Sequence, residues 1–162
     1  MTSPQTIIIG IDPGTIITGY GLIAVDRSGS RLLDFGAIKP PKTAPISERY
    51  VCLFEGVRSL VESFKPTALA IETQFVGKNS ASAIKLGMAR GAAVIAAGLS
   101  KIPVFEYAPK EAKKAVVGFG GASKFQVQSM IQQILGLSTL PEPEDAADAL
   151  AIALCHIHRI RL

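Results

Sequence analysis

The chain is poor in cysteine and has no long uncharged apolar run, and each shortage removes a class of function. Its two cysteines, Cys52 and Cys155, lack metal-binding spacing. Both fall in apolar helical patterns and read as small core residues in a reducing compartment, so the cytoplasm is the expected location. The longest uncharged apolar stretch with helical character, Gly91 to Ser100, lies between Arg90 and Lys101. Ten residues are too few to span a bilayer, and no membrane partner is expected. Met1 to Gln5 are too short and too polar for a signal peptide. No internal repeat and no low-complexity segment breaks the chain.

What is present is enough for one packed domain over residues 1–162. Apolar residues make up 48% of the sequence, which excludes a disordered chain and allows a sizeable core. The net charge is +4, and it is unevenly spread. Between Thr73 and Pro141 stand Lys78, Lys85, Arg90, Lys101, Lys110, Lys113, Lys114 and Lys124, against only Glu106 and Glu111. A basic middle with acids elsewhere suits a polyanion held over a metal site, although a solvated surface would show the same charges.

The organising stretch is Ile7-Ile8-Ile9-Gly10-Ile11-Asp12-Pro13-Gly14-Thr15. A run this apolar reads as a strand buried on both faces, stopped by Pro13-Gly14. A second strand over Thr18 to Asp26 and a third over Arg31 to Lys39 follow after short turns, predicting an antiparallel meander. Ser47 is the expected N-cap of a helix to about Phe64, with Val51, Phe54, Val57 and Val61 at helical spacing. Thr67 to Glu72 reads as a strand, and Ala81 to Gly98 as a helix rich in small residues. Ile84, Met88, Gly91 and Ile95 on that helix form a candidate interface. Ile102 to Tyr107 is a fifth strand, and Pro109 to Val117 a short helix. Ser123 opens a helix with Val127, Ile131 and Ile134 in register, and the last helix runs from about Asp145 to Ile160. The predicted class is α/β, a central five-stranded mixed sheet in β-β-β-α-β-α-β-α order with helices on both faces.

Alternation places Ile8, Gly10 and Asp12 on one face of the first strand, and Ala68, Ala70 and Glu72 on one face of the fourth. Paired side by side, these strands would bring the two carboxylates together at one end of the sheet. Asp145 and Asp148 share a face of the last helix, which is apolar nearly all round. Close docking of that small-residue helix on Gly10, Ala68 and Ala70 would bring all four acids together. Such a group raises its own pKa values unless a divalent, oxygen-preferring cation such as Mg²⁺ or Mn²⁺ neutralises it. Two such ions suit phosphodiester hydrolysis. Taken singly, Asp12 is also an ordinary turn residue, Glu72 a solvated strand end and Asp145 a helix N-terminal acid. Asp148, inside an alanine-rich helix, is the hardest to read as ornament. His156 and His158 lie beyond the acidic stripe and read as structural or surface residues.

Gly10-Ile11-Asp12-Pro13-Gly14 with Thr18-Gly19-Tyr20-Gly21 resembles the start of the RuvC family of Holliday-junction resolvases. So do Ala70-Ile71-Glu72 with Phe75 and Lys78-Asn79, Lys85-Leu86-Gly87 with Ala89-Arg90-Gly91, and Pro103 to Tyr107. Lys113, Val116-Val117-Gly118, Lys124 and Asp145-Ala146-Ala147-Asp148 to Ala153 complete a match over nearly the whole chain. The resemblance implies an RNase H-like fold, a homodimer, and Mg²⁺-dependent paired nicking of four-way junction DNA with two ions per site. It also implies partnership with the RuvAB branch-migration complex. Its catalytic and metal-binding acids fall on Asp12, Glu72, Asp145 and Asp148. The candidate DNA contacts are Phe75, Lys78, Lys85, Arg90, Lys113, Lys114 and Lys124. Phe75 would stack on or wedge between bases, and Lys113 and Lys124 would hold phosphates near the metals. Thr73-Gln74 and Phe119 look like points of variation that bear on the preferred cutting sequence.

Two rivals remain at this level. The opening motif also looks like the first phosphate-binding segment of actin-like ATPases and sugar kinases, but that reading needs two such domains and gives Glu72 and Asp148 no role. A non-catalytic junction-binding module would not need all four acids.

Overall fold

The structure, a computed structural model, describes residues 5–73, 77 and 79–160. Phe75 and Lys78 lie outside the described residues. Five strands, β1 (Thr6–Asp12), β2 (Thr18–Asp26), β3 (Gly29–Ile38), β4 (Ala68–Glu72) and β5 (Val104–Tyr107), form one sheet in the order β3-β2-β1-β4-β5. The β1–β2 and β2–β3 pairs are antiparallel, while β1–β4 and β4–β5 are parallel. The mixed α/β sheet expected from the sequence is present.

Strand parity sorts the core. Ile9, Ile11, Leu22, Leu69 and Ile71 pack with α1 (Ile46–Phe64) and α2 (Ser80–Leu99) on one face. Ile8, Ile23, Ala68 and Ala70 pack with α3 (Pro109–Val117), α4 (Lys124–Leu135) and α5 (Glu144–Arg159) on the other. Between their ends, from Ile7 to Ile11 and from Ala68 to Ile71, β1 and β4 are therefore apolar at every position, because both faces are covered. From Ala146 to Ile157 all but Asp148 of α5 is buried, as its apolar circumference requires.

Four local expectations need correcting. Ser47 is not the N-cap of α1; the helix starts at Ile46, directly after Pro45, with no side-chain cap. Proline's fixed φ and missing N–H suit it to that boundary. The buried stripe of α1 is Leu53, Val57 and Val61, whereas Val51 is 58% exposed, so the helix is turned relative to the expected face. The fifth strand begins at Val104 rather than Ile102. Finally, Cys155 is buried but Cys52 is only half-buried.

The expectation of no membrane-length segment also needs revising. By length and composition alone α2 could cross a membrane, with a mean hydropathy of 1.3 over its apolar window. The value comes from its alanine content. Ala89, Ala92, Ala93, Ala96 and Ala97 are buried, against α1 and the sheet.

Candidate active site

Asp12 and Glu72 close the parallel strands β1 and β4. The register pairs Gly10 with Ala70 and Ile11 with Ile71, so the two acids end neighbouring strands on the same face. This is the carboxyl end of the parallel strands, where open α/β sheets place their ligands. The turn after Asp12 is held from two sides. The Gly14 N–H donates to Thr18 Oγ1 at 3.3 Å, and the Thr18 hydroxyl is 3.2 Å from the Gly14 carbonyl. Arg49 Nη2, from α1, donates to the Thr15 carbonyl at 2.5 Å.

The third and fourth acids arrive through glycine. A Cβ at Gly10 would be driven into the Ala149 carbonyl and stand 2.9 Å from the Ala153 nitrogen. A Cβ at Gly19 would meet the Asp145 carbonyl and stand 2.8 Å from the Ala146 nitrogen. The backbone of α5 therefore lies directly on β1 and β2, with its first turn over Gly19. That places Asp145, and Asp148 one turn later, beside Asp12.

The electrostatics show how closely the acids are coupled. Burial, then Glu72, Asp148 and Asp145, push the Asp12 carboxyl up to about 8, with Lys124 opposing. Burial and Asp148 raise Glu72, and Lys113 opposes. Burial also raises Asp148, which Lys124 and Lys113 offset and Asp145 and Glu144 reinforce. Among the described residues no group of three or more acid, histidine or cysteine side chains is arranged to hold a metal ion as it stands. The four carboxylates are an open, mutually repelling cluster, and their hard oxygens fit a divalent cation such as Mg²⁺.

Glu72, Asp148, Lys113 and Lys124 line one small cavity of about 150 Å³. Lys113 comes from α3 and Lys124 from the first position of α4, so the glycine-containing loop between these helices sets the two cations around the acids. Lys124 Nζ donates to Glu144 at 2.7 Å, and this bond raises its pKa first, with the acids adding to it. Both partners are more than half exposed, so the pair holds the lysine only loosely. A roomier cavity of about 580 Å³ lies between the β2–β3 turn and the end of α5, but none of the four acids lines it. Charge, not volume, marks the site.

The other predicted contacts are dispersed. Lys114 is exposed. Arg90 pairs with Glu106. Lys85 is exposed on α2, and its carbonyl accepts from the Tyr50 hydroxyl at 3.2 Å. His156 is buried, with Nδ1 2.6 Å from the Tyr107 hydroxyl, a structural contact away from the acids. Sequence reasoning missed Arg49, Glu144 and the clearance at Gly19. Only Glu144, adjacent to Asp145, carried a local signal.

Comparison with known proteins decides the family. The family model described as crossover junction endodeoxyribonuclease RuvC matches residues 8–156. The chain belongs to the RuvC family. RuvC of Protochlamydia amoebophila is 54% identical over 154 residues, covering 95% of this chain and 92% of that protein. RuvC of Chloroflexus aggregans is 47% identical over 150 residues, 93% and 92% of the two chains. A solved structure of Thermus thermophilus RuvC in complex with Holliday junction substrate is 38% identical, with a TM-score of 0.91 and coverage of 96% and 95%. The yeast mitochondrial resolvase Ydc2, at 16% identity and TM-score 0.68 over 94% and 78%, shares the fold. The RuvC match makes this chain an endodeoxyribonuclease with an RNase H-like fold, and divalent-metal dependence goes with the family.

The cluster has a measurable cost to this RuvC chain. A carboxyl at about 8 when folded binds more protons than the unfolded chain between that pH and its ordinary value. Metal-free stability from Asp12 is thus fully present below the ordinary carboxyl range and lost as pH rises to 8. In chelator at pH 8, Asp12→Asn is expected to be more stable than the parent, by on the order of 2 kcal/mol or about 4–8 °C in Tm. The gap closes as pH falls toward 4. Thermal unfolding across pH measures it, and a parent at least as stable as the variant at pH 8 would show that the acids do not repel.

Proposed function

We propose that the protein is a cytoplasmic, Mg²⁺-dependent resolvase that nicks two like strands of a four-way DNA junction, acting as a homodimer in recombination and repair. The observation that supports this reading is that Asp12, Glu72, Asp145 and Asp148 lie within electrostatic reach of one another, and that Glu72 and Asp148 share one cavity with Lys113 and Lys124. Similarity to the Thermus thermophilus RuvC solved with a Holliday junction substrate supports the choice of DNA.

The four carboxylates would hold two ions, Mn²⁺ being the natural substitute for Mg²⁺. When bound, the ions supply charge to the scissile phosphate, lower the pKa of the attacking water and stabilise the leaving oxygen. The chain's own residues do the rest. Asp12 and Glu72 are fixed by the sheet, and Asp145 and Asp148 by a buried helix, so the ligand set is organised before DNA arrives. Lys113 and Lys124 bind phosphate oxygens next to the cleft, and Lys124 exchanges its exposed bond to Glu144 for one to DNA. Phe75 stacks on bases opened at the junction centre, and Lys78, Lys85, Arg90 and Lys114 add backbone contacts.

The dimer reading rests on α2. Ile84, Met88, Ile95 and Leu99 are 65%, 50%, 58% and 70% exposed, an apolar stripe on one helix that a second copy would cover. A two-fold pair sets two identical sites on two like strands of a junction with approximate two-fold symmetry.

The protein with a synthetic four-way junction and Mg²⁺ is expected to give paired nicks on denaturing gels, and none in chelator. Junction binding without nicks in any divalent metal would leave only a binding module. ATP hydrolysis in the same tubes would favour the kinase-like alternative.

A further inference from the structure

On the opposite side of the Asp12 turn from the lysine pair lies a cavity of about 440 Å³ whose lining includes Thr15, Ile16, Ile46, Arg49, Tyr50 and Lys85. Among the described residues no carboxylate lines it. Its two cations come from different helices, Arg49 from α1 and Lys85 from α2, and the Tyr50–Lys85 hydrogen bond holds those helices together at this point. Arg49 is only partly used. Nη2 donates to the Thr15 carbonyl, but the buried Nε has no partner among the described residues. An unmet buried donor costs about 1–3 kcal/mol until something accepts from it. Ile16 and Ile46, 60% and 52% exposed, give the cavity apolar walls. Two cations and two exposed aliphatic side chains lining one cavity suit one unit of a nucleic-acid backbone, phosphate on the cations and deoxyribose against the isoleucines.

We propose that this cavity is a second DNA subsite that takes one backbone phosphate on Arg49 and Lys85. Because the same guanidinium holds the Thr15 carbonyl, three residues beyond Asp12, seating the phosphate also fixes the turn that carries Asp12. Arg49 is thus a positioning residue for the cleft, and Lys85 a binding residue. This deepens the resolvase reading and rests on it.

Junction binding, measured in an Asp148→Asn background so that no cutting intervenes, tests the subsite across a salt series. Lys85→Gln is expected to weaken binding about five- to tenfold at 0.1 M salt and to reduce the slope of log affinity against log salt by about 0.9, the value of one lost phosphate contact. Arg49→Gln should do the same and, in the otherwise native chain, also slow nicking at saturating protein. Arg49→Lys should restore the slope but not the nicking rate, because an ammonium on a flexible stem lacks the rigid planar fork that holds the Thr15 carbonyl in place beside the phosphate. Parental affinity and slope in Lys85→Gln would overturn the subsite. A parental nicking rate in Arg49→Lys would overturn the coupling to Asp12. Lys85 is exposed, so its variant decides even where Arg49→Gln fails to fold. A parent chain that binds with these slopes yet never nicks would sink the nuclease reading and leave the subsite standing.

Discussion

Asp148→Asn is expected to bind a four-way junction within about threefold of the parent and to nick it about a thousandfold more slowly, a loss of roughly 4 kcal/mol in the transition state. The substitution changes charge and hardly changes shape. Asp148 is the one residue from Ala146 to Ile157 of α5 that is not buried, and the one acid in that span. The fold has no use for a carboxylate there, since burial and neighbouring acids raise its pKa. An asparagine keeps the packing, relieves the repulsion felt by Asp12 and Glu72, and removes one anionic ligand. Binding is expected to survive because the proposed phosphate contacts come from basic side chains and not from the acids. Single-turnover nicking and electrophoretic mobility of the complex measure the two quantities separately. A folded variant that cuts at the parental rate would remove Asp148 from the chemistry. One that loses binding in step with cutting would make it structural.

Gly10→Ala is expected to have the largest effect on folding. The added methyl has no side chain to push aside, since both near atoms, the Ala149 carbonyl oxygen and the Ala153 nitrogen, belong to the backbone of α5. Either β1 or the helix must move, and α5 packs across both central strands. Overpacking a core costs about 1–3 kcal/mol where side chains can yield. Here the loss should exceed about 3 kcal/mol, or roughly 6–12 °C in Tm for a chain of this size. Surviving protein should nick poorly, because any shift of α5 separates Asp145 and Asp148 from Asp12. Gly98→Ala is the control. A methyl there meets nothing within 4 Å, and within helix α2 the change should be neutral or stabilising by up to about 1 kcal/mol. Equal stability of the two variants in urea would show that the helix does not rest on the strand.

The parts of this design written in periodicity were legible. Alternation in two strands put Asp12 and Glu72 on one face, and the all-round apolar character of the last helix announced its burial. Small residues around Gly10, Ala68 and Ala70 allowed the close docking that the structure shows. What depends on three-dimensional neighbours was not legible. Val51 and Leu53 are both apolar residues of one helix, and only the placement of α1 on the sheet selects Leu53 for the core. Gly19 looked like part of a strand pattern, whereas it is the clearance under the first turn of α5. Arg49 meets Thr15 across 34 residues of chain, a contact with no local signature.

The alternation that brings Asp12 to the cleft also makes β1 intolerant of small errors in length. Deleting or inserting one residue between Ile7 and Ile11 would not merely loosen the strand. If the pairing with β4 held, it would exchange the two faces, turning Asp12 under α1 and α2 and aiming an isoleucine at the acids. A two-residue change would preserve the facing but carry the carboxylate past the end of β4. Substitutions in this strand can be graded by size, but changes of length cannot, and the loops are where insertions and deletions should be tolerated.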